Sequence, residues 1–204
     1  LRGLIHRDLK PSNVVLERDS SGVWKPYVVD FGLSRELGNA GMTDTGCPVG
    51  TPAFMAPEQA RGETARMDFR TDVYGLGATL YAVLTGHLPF EGSALEVIRK
   101  VIEEDPPRPR KYRPGIPRDL ETIVLKAMQK APEWRYASAL AFAEDIRRYL
   151  AHEPVSAASP SLLYHIRKRV ERNRPLSAVV ATSLVLLGLL GALAMRTALR
   201  GRER

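Results

Sequence analysis

The sequence predicts a mainly α-helical domain that carries one small β-hairpin near its start and is followed by a single membrane-spanning helix. Three observations predict it. Four stretches between residues 72 and 150 space their apolar side chains at helical intervals. Two short β-branched runs, residues 14–16 and 27–29, are separated by turn residues. Residues 176–195 form a run of 20 without a charged side chain, and about 20 apolar residues cross a ~30 Å hydrocarbon core.

The hairpin comes first. Val14-Val15-Leu16 and Tyr27-Val28-Val29 flank Asp19-Ser20-Ser21-Gly22, which is turn chemistry. Residues 33–50 are polar and glycine-rich and read as a mobile loop. From 72 to 86 the chain reads DVYGLGATLYAVLTG, with Val73, Tyr74, Leu76, Leu80, Tyr81, Val83 and Leu84 nearly all the way round a helix. Such a helix is expected to be buried rather than amphipathic. Its two internal glycines weaken it in isolation, so packing must stabilise it. Residues 94–104 place Leu95, Val97, Ile98, Val101 and Ile102 on one face, with Ser93 as the cap. Residues 105–118 hold five prolines and several basic side chains and read as a surface loop or linker. Two amphipathic helices follow, one built on Leu120, Ile123, Val124, Ala127 and Met128, the other on Leu140, Ala143, Ile146, Tyr149 and Leu150. Pro154 and Pro160 then mark a boundary.

Composition narrows the classes. The chain has 204 residues, enough for one ordinary domain with appendages. Its one cysteine, Cys47, excludes an internal disulfide and suits a reducing compartment. The net charge of +7 is not spread evenly. Residues 1–160 carry 21 basic and 21 acidic side chains, while residues 161–204 carry 9 and 2. The whole excess flanks the apolar run, which favours contact with a membrane surface and argues against nucleic acid. No signal peptide and no solenoid repeat is visible. The histidines lack partners at metal-ligand spacing.

The chemistry is concentrated at residues 6–13, HRDLKPSN, and at Asp30-Phe31-Gly32. Asp8, Lys10, Asn13 and Asp30 are the groups a phosphoryl-transfer site needs: a carboxylate, an ammonium, and an amide and second carboxylate whose oxygens suit magnesium. The hairpin puts Asn13 at one end and Asp30 at the other. These stretches, with Ala56-Pro57-Glu58 further on, resemble the catalytic loop, DFG and APE motifs of protein kinases. Small-molecule phosphotransferases share a looser pattern but lack this combination. Residues 50–59, GTPAFMAPEQ, resemble the substrate-facing loop of bacterial-type, receptor-like, membrane-anchored Ser/Thr protein kinases.

The resemblance covers residues 1–151 and implies roles. Asp8 would be the base or hydroxyl orienter, Lys10 the charge stabiliser facing ATP, and Asn13 and Asp30 the Mg2+ ligands. Thr51 would contact Asp8 and Lys10, and Lys10 and Thr51 together would indicate Ser/Thr rather than Tyr specificity. Arg7 would receive a phosphate placed on Thr43 or Thr45 in the loop. His6, Phe31, Gly32, Glu58, Asp72 and Arg135 would be structural, with Glu58 paired to Arg135 and Asp72 holding the catalytic loop's backbone. Nothing before residue 6 supplies a Gly-rich phosphate loop or strand lysine, so the expectation is the C-terminal, large lobe with its small lobe missing, inactive as this fragment. The domain division is then 1–151 kinase lobe, 152–175 basic juxtamembrane linker, 176–195 transmembrane helix and 196–204 short basic tail. The expected location is the cell (inner) membrane, single-pass, with the kinase part cytoplasmic because it needs ATP. Expected partners are proteins with Ser/Thr hydroxyls, ATP and the membrane, with a homodimer left open. The alternative is a truncated or pseudokinase membrane scaffold that binds partners without catalysis.

Overall fold

The computed structural model describes residues 5–30, 52–158 and 164. The chain divides into two units, Leu1–Tyr149 with Val155–Ala158, and Leu150–Pro154 with Ser159–Arg204. The described part of the second is a turn after the last helix, where His152 takes φ 57°, together with Tyr164.

The first unit opens with the predicted hairpin. Strands β1 (Val14–Arg18) and β2 (Trp24–Val28) pair antiparallel, Val14 opposite Val28 and Arg18 opposite Trp24. The turn is pinned from inside: the Asp19 carboxylate accepts the N–H groups of Ser21 at 2.9 Å and Val23 at 3.0 Å. Gly22 supplies the φ of +82° that a side chain would resist. Pro26 is tolerated within β2 because a two-stranded sheet is all edge.

Everything else described is helical or irregular. A short helix, α1 (Pro57–Ala60), leads to α2 (Phe69–Thr85). It starts earlier than the apolar pattern suggested, because Asp68 caps it by accepting the Arg70 N–H at 2.7 Å. It stops at Gly86, which takes φ +75° and returns its N–H to Ala82 O. Helix α3 (Ala94–Glu103) begins with the predicted cap: Glu96 Oε2 accepts both the Ser93 N–H (2.7 Å) and its hydroxyl (2.8 Å). The proline-rich stretch contains one turn of helix, α4 (Pro109–Tyr112), and is followed by α5 (Arg118–Ala127) and α6 (Ala139–Leu150).

Two clusters of the core lie among the described residues. One joins Tyr74, Ala78 and Tyr81 of α2 to Ala56, Val124 and Met128. The other joins Val97 and Val101 of α3 to Ala53 and Phe90. Helices α2 and α5 approach closely at Gly77, where an added Cβ would lie 2.7 Å from Ala127 Cβ.

Three expectations fail in detail, the first on α3, where Leu95 is 71% exposed although the spacing placed it on the apolar face. Helix α2 is not buried all round, for Val83 is 68% exposed near its end. On α6, Leu140 (61%) and Leu150 (68%) face solvent, while Phe142 and Asp145 are buried. The helix is turned by its polar anchor. Asp145 accepts the Tyr136 hydroxyl at 2.8 Å and the N–H groups of Ser156 and Ala157. That clasp returns the chain to the domain after α6, where Val155 is buried.

Among the described residues no helix is long and apolar enough to cross a membrane. The predicted span, 176–195, lies outside them, as do Phe31, Gly32, Thr43, Thr45 and Thr51.

Candidate active site

The loop from His6 to the 3-10 turn Pro11–Asn13 holds Asp8, Lys10 and Asn13 together. Lys10 Nζ donates to Asp8 Oδ2 at 2.8 Å. Asn13 Nδ2 donates to the Asp8 backbone oxygen at 2.8 Å and to the same Oδ2 at 3.1 Å. One carboxylate oxygen therefore takes both an ammonium and an amide, while Asn13 itself is buried. The arrangement follows from a tight local path: Pro11 starts the turn, and the Asn13 N–H bonds Lys10 O at 3.0 Å.

The loop is anchored from the opposite side. Asp72, in the first turn of α2, accepts the N–H of His6 at 2.8 Å on Oδ2 and of Arg7 at 2.9 Å on Oδ1. Gln59 of α1 donates from Nε2 to Arg7 O at 2.7 Å. Between these grips Arg7 adopts φ +67°, a left-handed conformation that costs a non-glycine residue about 1–3 kcal/mol and persists only where neighbours impose it. Leu9 then packs on α2 at Gly75. An added Cβ there would meet Leu9 Cβ at 3.0 Å and Leu9 O at 3.1 Å, so the missing side chain admits the loop.

His6 connects the loop to the hairpin. It is buried, and its Nδ1 accepts the Asp8 N–H at 3.3 Å. The ring proton then belongs on Nε2, which donates to Val29 O at 3.1 Å. Val29 N–H in turn bonds Asn13 O at 3.0 Å. The residue that follows is Asp30, exposed and with φ +57°. Asp30 is thus tied through its backbone neighbour to both His6 and Asn13. An amide oxygen and a carboxylate are hard ligands of the kind Mg2+ takes, with phosphate and water filling its remaining positions, so this donor set fits the ion.

Glu58 and Arg135 meet as the resemblance implied. Their two parallel contacts are 2.8 Å each, and the side chains are 3% and 0% exposed. Burial alone pushes the Glu58 carboxyl up, but the Arg135 guanidinium and the Thr71 hydroxyl outweigh it and hold it below its usual range.

Gln59, Gly75 and Thr71 were not singled out from the sequence. The first carried a visible signal, a Gln three positions into a helix, where it can cap. Its Oε1 does accept the Ala56 N–H at 3.0 Å.

The geometry is thus a lobe of helices bearing an Asp–Lys–Asn loop clamped to a central helix. The model of the protein kinase domain matches residues 1–152, and the chain belongs to that family. Its similarity is to Ser/Thr protein kinases. It is 40% identical over 158 residues to PknB of Mycobacterium tuberculosis (76% of this chain, 24% of the relative). It is 40% identical over 160 residues to "Probable serine/threonine-protein kinase SCO3848" of Streptomyces coelicolor (77% and 23%). A third relative, "Probable serine/threonine-protein kinase PknB" of Bifidobacterium longum, matches at 40% over 185 residues (87% and 26%). The chain spans about a quarter of the length of these curated relatives.

Proposed function

We propose that this chain supplies the catalytic-loop lobe of a Ser/Thr protein kinase that transfers the γ-phosphoryl group of ATP to a protein Ser or Thr hydroxyl. The observation that carries the reading is the pairing of Asp8 with both Lys10 and Asn13 on a loop clamped by Asp72. In this reading the Asp8 carboxylate accepts or orients the hydroxyl proton of the substrate. Lys10, already against Asp8, stabilises charge that moves onto the transferred group. Asn13 and Asp30 would hold Mg2+, whose charge would offset that of the phosphates. Thr51 contributes on the substrate side and, with Lys10, favours Ser/Thr, while Arg7 pairs with a phosphate carried on Thr43 or Thr45.

The same reading puts residues 176–195 across the cell membrane with the lobe on the ATP side. The charge-free run and its basic flanks support it. Carbonate-resistant membrane association of the full-length protein is expected, and extraction by carbonate would overturn the span.

The test of the catalytic reading is Asp8→Asn in the full-length protein. An amide cannot take the hydroxyl proton, so phosphorylation should fall on the order of 10²–10⁴-fold with an unchanged melting temperature. Turnover close to that of the wild type would overturn the role of Asp8.

A further inference from the structure

Gln59 makes two bonds of different kinds. Its Oε1 accepts the Ala56 N–H at 3.0 Å, within its own helix end. Its Nε2 donates to Arg7 O at 2.7 Å, across 52 positions of sequence. A cap needs only the acceptor. Glu would serve there equally well and would suit the positive end of the helix better. What Gln adds is a donor, and the donor is aimed at the peptide that precedes Asp8.

That peptide is the joint on which Asp8 turns. Its carbonyl is Arg7 O, and its N–H is that of Asp8, which His6 Nδ1 accepts at a long 3.3 Å. The preceding peptide is fixed by Asp72 through the Arg7 N–H at 2.9 Å. Between the two, Arg7 stands at φ +67°. An L residue at positive φ returns to the broader allowed regions when its neighbours release it. With Asp72 alone, only the near side of Arg7 is held. The Gln59 amide holds the far side, and the orientation of the Asp8 carboxylate follows from that.

We propose that Gln59 is a positioning residue for Asp8. Its amide locks the Arg7–Asp8 peptide and makes the orientation of the carboxylate depend on the placement of α1, the helix that follows the substrate-side loop. The proposal rests on the reading of Asp8 as the catalytic carboxylate.

The test uses Gln59→Glu and Gln59→Ala in the full-length protein, with wild type and Asp8→Asn alongside. Gln59→Glu keeps the bond to Ala56 but sets a carboxylate against Arg7 O, two acceptors facing each other. The expected result is an unchanged melting temperature and a kcat lowered on the order of ten- to a hundredfold at pH 8, with KM for ATP little altered. As pH falls, the new carboxyl gains a proton and can donate to Arg7 O again, so activity relative to wild type should recover. Gln59→Ala should lower kcat with no such recovery. Hydrogen–deuterium exchange over residues 5–10 should speed up in both. Wild-type kcat for Gln59→Glu at every pH, or a ratio to wild type that does not change with pH, would overturn the proposal. If wild type and Asp8→Asn were equally inactive, the kinase reading would fail separately. Exchange would then decide the clamp: faster in Gln59→Glu supports it, unchanged overturns it.

Discussion

Arg135 reaches Glu58 across 77 positions and meets it at two points, Nη1 to Oε1 and Nη2 to Oε2, both at 2.8 Å. The same guanidinium donates to the carbonyls of Gln129 (2.7 Å), Arg70 (3.0 Å) and Lys130 (2.9 Å). It also lies over the Tyr74 ring at 5.1 Å. One side chain thus fastens the start of α1, the start of α2 and the segment after α5. All five donors of an arginine are useful here, which a lysine could not reproduce.

Arg135→Met should therefore be severely destabilising. It leaves Glu58 charged, buried and without its partner, and it strands three carbonyls. The expected loss is about 3–5 kcal/mol, read as a lower midpoint in chemical denaturation. A variant within experimental error of wild type would refute the role.

The pair also sets an acid limit. The Glu58 carboxyl titrates below its ordinary 4.5 in the folded state. A carboxyl lowered on folding contributes stability that is complete above the unfolded value and is lost as pH falls through the folded one. Stability should drop in that acid window. The drop should be shallower in a Glu58→Gln/Arg135→Met double variant, measured by thermal unfolding at a series of pH values.

Gly75→Ala and Gly77→Ala should separate loop placement from packing. Both gain helix propensity of roughly 1 kcal/mol and both meet an obstacle costing about 1–3 kcal/mol. At Gly75 the obstacle is Leu9, including its backbone oxygen at 3.1 Å; at Gly77 it is Ala127 and Met128 of the α2–α5 contact. Activity per folded molecule should fall for Gly75→Ala and be retained for Gly77→Ala. Equal activities would show that the approach of Leu9 to α2 does not govern the site.

Asp72→Asn should weaken the loop without unfolding the lobe. The carboxylate takes two N–H groups, one per oxygen. An amide offers one acceptor and turns a donor toward the other. The cost is about 1–3 kcal/mol, with a larger fractional loss of kcat than of stability. Retention of full kcat would count against Asp72 as the support of Arg7.

How much of this the sequence disclosed depends on how local each contact is. Asp8, Lys10 and Asn13 lie within six residues, and the hairpin turn at Asp19 is written in its own side chains. Both could be read directly. Glu58–Arg135 and Asp72 could be named only because motifs elsewhere in the chain resemble those of protein kinases. Gln59 and Gly75 escaped because their partners, Arg7 and Leu9, are 52 and 66 positions away. On α6, apolar periodicity pointed to Leu140 and Leu150, and a buried polar residue, Asp145, turned the helix away from them. Periodicity counts apolar groups and cannot weigh a carboxylate that finds three donors.

That carboxylate has a mechanical meaning. The last described residues of the domain are not a frayed continuation of α6. Ser156 and Ala157 are fastened to it, their N–H groups both held by Asp145, with Tyr136 bracing the same side chain. A pull on the residues after Ala158 would load these bonds together, as a knot takes up strain ahead of a seam. The force would enter the domain at the middle of α6 rather than peel the helix from its last turn.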